Sequence, residues 1–174
     1  RTYSITCERK RDVEFSTVYY YANQRILAVK GSGIDSAAAL SGKRVCAVRG
    51  TTSLAALFAL NPRPTLFGVA TWTDCLVMLQ QGQVDAIITD DVVLSGLAAQ
   101  DPNVEVVGPS LGVEPYGVGI KKESSDLVRF VNGALDACVP LGRGEDGILS
   151  LRGQQTVECL CESLRPTCKG WEEH

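Results

Sequence analysis

Three short polar stretches carry the groups that a small zwitterionic ligand needs. A molecule with a carboxylate and an ammonium on one carbon requires a fixed cation, N–H groups that bind an anion, and a fixed anion. Residues 4–9, 49–53 and 89–91 contain side chains of these types, in that order. The sequence therefore offers one candidate binding site whose parts come from three places in the chain.

Arg9 is the candidate cation. A guanidinium can hold a carboxylate through two parallel hydrogen bonds, and Ser4 lies near enough through a turn to add a hydroxyl. The alternative is an arginine that only faces solvent, because residues 8–12 form the charged run Glu-Arg-Lys-Arg-Asp.

Residues 49–53, Arg-Gly-Thr-Thr-Ser, lie between a predicted strand and a predicted helix. Gly50 permits close approach of the backbone, and the N–H groups that begin the helix favour an anion. Arg49 could bind a second carboxylate on an acidic ligand. The alternatives are an ordinary helix cap and a surface arginine.

Asp90 and Asp91 follow a predicted buried strand. A carboxylate at the end of such a strand can pair with an ammonium group. The alternative for each aspartate is a helix cap, and this alternative is the stronger interpretation for Asp91.

These stretches lie on a repeating pattern of strands and helices. Apolar runs predict strands at residues 26–29, 44–48, 66–70, 84–88, 104–107 and 117–120, and capped runs predict helices at 54–60, 73–79, 91–100 and 126–137. The βαβα order predicts an α/β fold with a mainly parallel sheet, in which ligands bind at the carboxyl ends of strands. No element is predicted after Cys138.

Composition excludes several classes of function. The net charge is −3 without a long basic run, so no nucleic-acid partner is expected. No apolar stretch approaches the roughly 18 residues that a membrane span requires. The single histidine is His174, the last residue, so a histidine-assisted nucleophile is not expected and the chain is predicted not to be an enzyme.

Seven cysteines indicate an oxidising compartment. Cys46 on a predicted strand and Cys75 at the start of a predicted helix form a candidate disulfide, with two separate buried thiols as the alternative. The spacing of Cys159, Cys161 and Cys168 matches no standard zinc pattern, so no metal and no cofactor are expected.

Taken together, these stretches resemble the family 3 solute-binding proteins of amino-acid ABC transporters. The resemblance covers about residues 2–137 and is carried by residues 4–9, 13–16, 19–20, 40–45, 50–53 and 81–86 together with Asp90. Residues 114–117, Glu-Pro-Tyr-Gly, and residues 126–132 are most similar to the glutamate- and glutamine-binding branch of Gram-positive bacteria.

The resemblance implies a periplasmic-binding-protein-like type II fold, a clamshell of two α/β lobes. Residues 1–23 and 116–140 would belong to a partial first lobe, residues 24–115 would form a complete second lobe, and residues 141–174 a divergent cysteine-rich tail. The family begins about half a lobe earlier than this chain, so further sequence upstream, with any export signal, is expected.

The resemblance also implies roles for individual residues. Arg9 and Ser4 would hold the α-carboxylate of the ligand from the first lobe, Thr51 and Thr52 would add donors from the second, and Asp90 would receive the α-ammonium. Tyr21 and Arg49 would contribute to the pocket for the ligand side chain.

The implied function is to bind glutamate, glutamine or aspartate outside the cytoplasmic membrane and to deliver it to an ABC transporter permease. Membrane contact is expected only through a lipid anchor upstream of this chain. Three alternatives stay open: the ligand-binding sensor domain of a receptor, an enzyme on the same fold, and a non-functional fragment of a binding protein.

Overall fold

The structure, a computed structural model, describes residues 2–138, and the cysteine-rich tail lies outside this range. The chain divides into two compact units. Unit 2 is the continuous segment Ala22–Glu114, whereas unit 1 is formed by the segments that precede and follow it.

The described residues form seven strands and four α-helices. The strands are β1 (Val13–Phe15), β2 (Tyr20–Val29), β3 (Arg44–Val48), β4 (Thr65–Val69), β5 (Ala86–Asp90), β6 (Val104–Tyr116) and β7 (Gly119–Lys121); the helices are α1 (Thr52–Ala59), α2 (Trp72–Gln80), α3 (Asp91–Ala98) and α4 (Ser125–Cys138). The α/β class predicted from the sequence is confirmed.

Unit 2 is built on a five-stranded sheet in the order β4-β3-β5-β2-β6. Strand β3 pairs in parallel with β4 and β5, whereas β2 pairs antiparallel with β5. The sheet is therefore mixed rather than mainly parallel. The difference arises because β2 enters from unit 1 and is not preceded by a helix of the βαβα series.

Successive residues of the central strands alternate between two apolar layers. Leu27, Cys46 and Ile87 pack in one layer, whereas their neighbours Ile26 and Val45 pack in the other. Because side chains of a strand point alternately to opposite faces, this sheet is buried on both faces.

The candidate disulfide is present. Cys46 of β3 and Cys75 of α2 are joined, with their Cα atoms 5.6 Å apart, and both residues are fully buried. The bond attaches α2 to the face of the sheet that carries the first of the two apolar layers.

Helix α2 begins earlier than the sequence suggested. The predicted cap was Thr73, but Thr71 accepts a hydrogen bond from the N–H of Asp74, and the Asp74 carboxylate accepts one from the N–H of Thr71. This reciprocal pair is a capping box, and it places the N-cap two residues before the predicted cap.

Strands β2 and β6 are longer than predicted. The predicted strand at residues 26–29 is the end of β2, and the one at residues 104–107 is the start of β6. Asn23 and Gln24 interrupt the apolar pattern of β2, but both have partners from elsewhere in unit 2. Asn23 donates to Asp91 at 3.2 Å, and Gln24 donates to Glu114 at 2.7 Å.

Unit 1 contains the antiparallel pair of β1 and β7 and the helix α4. The N-terminal segment packs beside the end of β6: the N–H of Ile5 donates to Pro115 at 2.8 Å, and the N–H of Gly117 donates to Tyr3 at 3.2 Å. A Cβ at Gly117 would lie 2.7 Å from Cδ1 of Ile5, so the glycine permits this close packing.

The Gln-Gly-Gln-Val-Asp-Ala motif at residues 81–86 forms the entry into β5. Asp85 accepts from the Arg44 guanidinium at 2.7 and 3.2 Å and from the Arg44 N–H at 2.7 Å. The N–H of Asp85 in turn donates to the Arg44 carbonyl at 2.7 Å. This side chain therefore links the beginnings of β3 and β5, and its role in the motif is structural.

We expect Asp85→Asn to lower the midpoint of thermal unfolding by a few degrees at neutral pH. The hydrogen bond from the Arg44 side chain lowers the pKa of Asp85. A lowered pKa means that this stabilisation is fully present above the pKa of the unfolded chain, about 3.9. It is lost as the pH falls through the lower folded value.

Thermal scans of parent and variant between neutral and acidic pH test this expectation. The difference between the two proteins should shrink as the pH falls below about 4. A difference that is constant with pH would mean that the Asp85 charge does not stabilise the fold.

Candidate functional site

In unit 1 the structure brings Ser4 and Arg9 together. Nη1 of Arg9 donates to the carbonyl oxygen of Ser4 at 2.8 Å, and Ser4 is buried. The predicted proximity is therefore present, but the contact uses the Ser4 main chain. The turn that places Arg9 includes a hydrogen bond of 3.1 Å from the N–H of Arg9 to the Thr6 hydroxyl.

The guanidinium of Arg9 also lies over an aromatic ring. Its central carbon is 4.4 Å from the centroid of the Tyr3 ring. Sequence reasoning missed Tyr3, although an aromatic residue directly before Ser4 was a visible signal. Tyr21, predicted for the side-chain pocket, is half-buried in the part of β2 that belongs to unit 1.

In unit 2 the turn between β3 and α1 has the predicted form. Gly50 has a φ of +74°, a conformation that glycine adopts readily, and Thr51 caps α1 by accepting from the N–H of Leu54 at 3.2 Å. The Thr51 hydroxyl donates to the Val48 carbonyl at 2.7 Å. Its single proton is used there, so an anion at this turn would be bound by main-chain N–H groups and by Thr52.

The start of α1 lies beside the end of β5. The hydroxyl oxygens of Ser53 and Thr89 are 3.5 Å apart, and both residues are 2% exposed. Asp90 follows Thr89 directly and is 6% exposed. The helix start at residues 51–53 therefore lies beside the end of β5, the strand whose last residue is Asp90, at the carboxyl edge of the parallel strands β3 and β5.

Asp91 has a different environment from Asp90. Its carboxylate accepts from the N–H of Val92 at 2.9 Å and from the Asn23 amide at 3.2 Å. Asp91 is the first residue of α3 and accepts within its first turn, whereas Asp90 occupies the N-cap position without a capping hydrogen bond from its side chain.

The side chain of Arg49 lies over β4. A Cβ built at Gly68 would be 3.2 Å from Cγ and 3.5 Å from Nε of Arg49, so the absence of a side chain at Gly68 makes room for this arginine. Because β3 separates β4 from β5, Arg49 extends to the opposite side of β3 from Asp90.

A further polar residue, Gln24, adjoins Asp90 and was not predicted as part of the site. Gln24 is directly opposite Asp90 in the antiparallel pairing of β2 and β5, so their side chains lie on the same face of the sheet. Gln24 is 3% exposed and donates to Glu114 at 2.7 Å. A glutamine inside the apolar run of a strand was the available signal.

Residues 2–138 contain no cluster of three or more histidine, cysteine or acidic side chains that could hold a metal ion. Within the same part of the chain, no helix has the length and apolarity to cross a membrane. The cysteines at positions 159, 161 and 168, which were also predicted not to bind metal, lie outside the described residues.

A sequence profile of the bacterial extracellular solute-binding proteins, family 3, matches residues 1–142. The chain belongs to this family. The family resemblance inferred from the sequence is thereby confirmed, and a binding protein rather than an enzyme is the class to which the family assigns it.

Named relatives of this family 3 protein include two glutamine-binding proteins. The ABC transporter glutamine-binding protein GlnH of Bacillus subtilis is 36% identical over 146 residues, which cover 83% of this chain and 54% of the relative. The glutamine-binding protein of Geobacillus stearothermophilus is 37% identical over 129 residues, covering 74% and 49%. This chain therefore spans about half the length of these relatives.

A solved structure of a related binding protein also matches this family 3 protein. An ancestral arginine-binding protein bound to glutamine superimposes with a TM-score of 0.76 at 33% identity, covering 81% of this chain and 64% of the other. The match supports the predicted binding-protein fold, present here over part of the length of that relative.

Proposed function

We propose that this protein binds a polar amino acid and delivers it to the permease of an ABC transporter. The proposal rests on one observation: α1 begins beside the end of β5, where Asp90 lies, at one edge of the sheet in unit 2. An N-terminal helix turn favours an anion, and a buried carboxylate favours a cation. A free amino acid carries both charges, on two groups attached to the same carbon.

In the proposed site the N–H groups that begin α1, with Thr52, donate to the α-carboxylate of the ligand. Asp90 accepts from the α-ammonium. From unit 1, Arg9 adds a guanidinium for the same α-carboxylate, since its fork geometry matches that group. Ser4 contributes to this part of the site by accepting from Arg9 and fixing its position.

The proposed ligands are glutamine, glutamate and aspartate. The names of the Bacillus and Geobacillus relatives favour glutamine among these. Arg49 is proposed to bind the ligand side chain only if that side chain is acidic and reaches past β3. Tyr21 is a second proposed contact with the ligand side chain.

The proposed setting is the outer side of the cytoplasmic membrane, with attachment through an upstream lipid anchor. An oxidising compartment suits the buried disulfide between Cys46 and Cys75.

A calorimetric titration of the intact protein, as its cell produces it, tests this function. We expect L-glutamine, L-glutamate or L-aspartate to bind with a Kd of about 1 μM or lower, equivalent to about −8 kcal/mol. Nα-acetyl-L-glutamine serves as the matched control, because it keeps the carboxylate and the side chain but lacks the ammonium. Absence of binding by all three amino acids, or equal binding of the acetylated control, would contradict the proposal.

A further inference from the structure

Two contacts of the Arg9 guanidinium differ in direction. The guanidinium lies over the Tyr3 ring, with 4.4 Å between its central carbon and the ring centroid, well within the roughly 6 Å reach of a cation–π interaction. The Ser4 carbonyl lies at one edge and accepts from Nη1 at 2.8 Å. The ring and the carbonyl together restrict the orientation of the guanidinium.

The Tyr3 ring is fixed by a pair of residues on β1 and β7. Phe15 and Gly119 face each other across these antiparallel strands. The rings of Tyr3 and Phe15 are 5.3 Å apart between centroids. A Cβ at Gly119 would lie 3.1 Å from Cδ1 and Cε1 of Tyr3, so the ring packs directly on the glycine backbone. The position of the ring is thus determined by the sheet of unit 1.

We propose that Tyr3 is a positioning residue for ligand binding, acting through Arg9; this inference rests on the proposed function. Two parallel hydrogen bonds to a carboxylate require a guanidinium plane of defined orientation. An arginine that is already oriented loses less side-chain freedom when the ligand binds. The ring supplies this orientation, and the Tyr3 hydroxyl is not required for it.

Two substitutions at Tyr3 separate the ring from the rest of the side chain. Tyr3→Phe keeps the ring, and we expect its affinity for L-glutamine, or for whichever of the proposed ligands binds most tightly to the parent, to equal that of the parent. Tyr3→Leu keeps apolar bulk without the ring, and we expect an affinity about five-fold lower, the size of the effect of immobilising one flexible side chain on binding. Phe15→Leu removes the ring that packs on Tyr3 but leaves Tyr3 itself, so we expect a loss of affinity that is smaller than that of Tyr3→Leu.

Nuclear magnetic resonance of the Arg9 side chain provides a readout that a purely structural role of Tyr3 would not change. A proton above an aromatic face is shielded, so the Nε–H signal of Arg9 should lie upfield in the parent and in Tyr3→Phe. In Tyr3→Leu the signal should return to the ordinary arginine position. An Arg9 signal at the ordinary position in the parent would overturn the inference even if Tyr3→Leu failed to fold.

The binding data distinguish failure of this inference from failure of the proposed function. If Arg9→Ala weakens binding but Tyr3→Leu does not, the role of Tyr3 is wrong and the site stands. If Arg9→Ala leaves the affinity unchanged, the proposed role of Arg9 is wrong, and the role of Tyr3 is overturned with it.

Discussion

Asp90→Asn is expected to weaken amino-acid binding by about 100-fold, or about 2.8 kcal/mol, with little change in side-chain shape. Asp90 is 6% exposed, and in the proposed site it receives the ligand ammonium. Removing one partner of a buried charge pair costs about 2–5 kcal/mol, since the other charge is left uncompensated. Arg9→Ala should have an effect of similar size at the carboxylate end.

Asp91→Asn provides a matched control for this prediction. It changes the same functional group at the adjacent position, but Asp91 bonds to Asn23 and to the first turn of α3. We expect unchanged ligand affinity in this variant. Calorimetry of all three variants tests these expected affinities. Thermal unfolding of each ligand-free protein checks that the variant is folded. Parent-like affinity of both Asp90→Asn and Arg9→Ala would remove the basis of the assigned site.

Replacing Cys46 and Cys75 together by alanine is expected to lower the free energy of unfolding by about 3–4 kcal/mol. The bond joins residues 29 positions apart, so its loss gives the unfolded chain the freedom of a loop of that length. Removal of two buried sulfur atoms from the layer that contains Leu27, Leu79 and Ile87 adds to the loss.

Urea denaturation followed by far-ultraviolet circular dichroism measures this effect. The substitution is preferable to chemical reduction because the chain contains other cysteines. A double valine variant, Cys46→Val with Cys75→Val, refills part of the apolar volume and should recover only the packing part of the loss. Equal stability of parent and alanine variant would mean that the cross-link does not contribute to the folded state.

The sequence predicted the centre of unit 2 well because its signals are local. Strand β3 was predicted with its observed bounds, and α1 and β4 were displaced by one or two residues. The apolar run of a buried strand and the Thr51 cap are contained within a few adjacent residues. Short-range patterns of this kind require no knowledge of distant partners.

Strands β2 and β6 were predicted incompletely because their polar residues have distant partners. Gln24 bonds to Glu114, which is ninety positions further along the chain. Without that partner a glutamine in a strand indicates an interruption. Gly108, with a φ of +73° inside β6, likewise signals a turn in the sequence but is accommodated within a continuous strand.

For the candidate site residues, the sequence indicated which side chains would be neighbours more than it indicated the atoms in contact. Ser4 and Arg9 are neighbours, as the turn between them suggested, but the atom that accepts from Arg9 is a main-chain oxygen. The direction of the Arg49 side chain depends on Gly68, a residue of another strand. Side-chain directions of this kind follow from packing across the sheet. The spacing of residues along the chain carries no information about that packing.

Unit 2 is one continuous segment of the chain, so it is suited to being moved between proteins as a single piece. The segment Ala22–Glu114 enters through β2 and leaves through β6, and these strands are neighbours in one sheet. Its two ends therefore emerge side by side, which is the geometry that tolerates excision, transplantation into a host protein and circular permutation. A short linker could close the segment on itself, and two-residue junctions could graft it into a surface loop elsewhere.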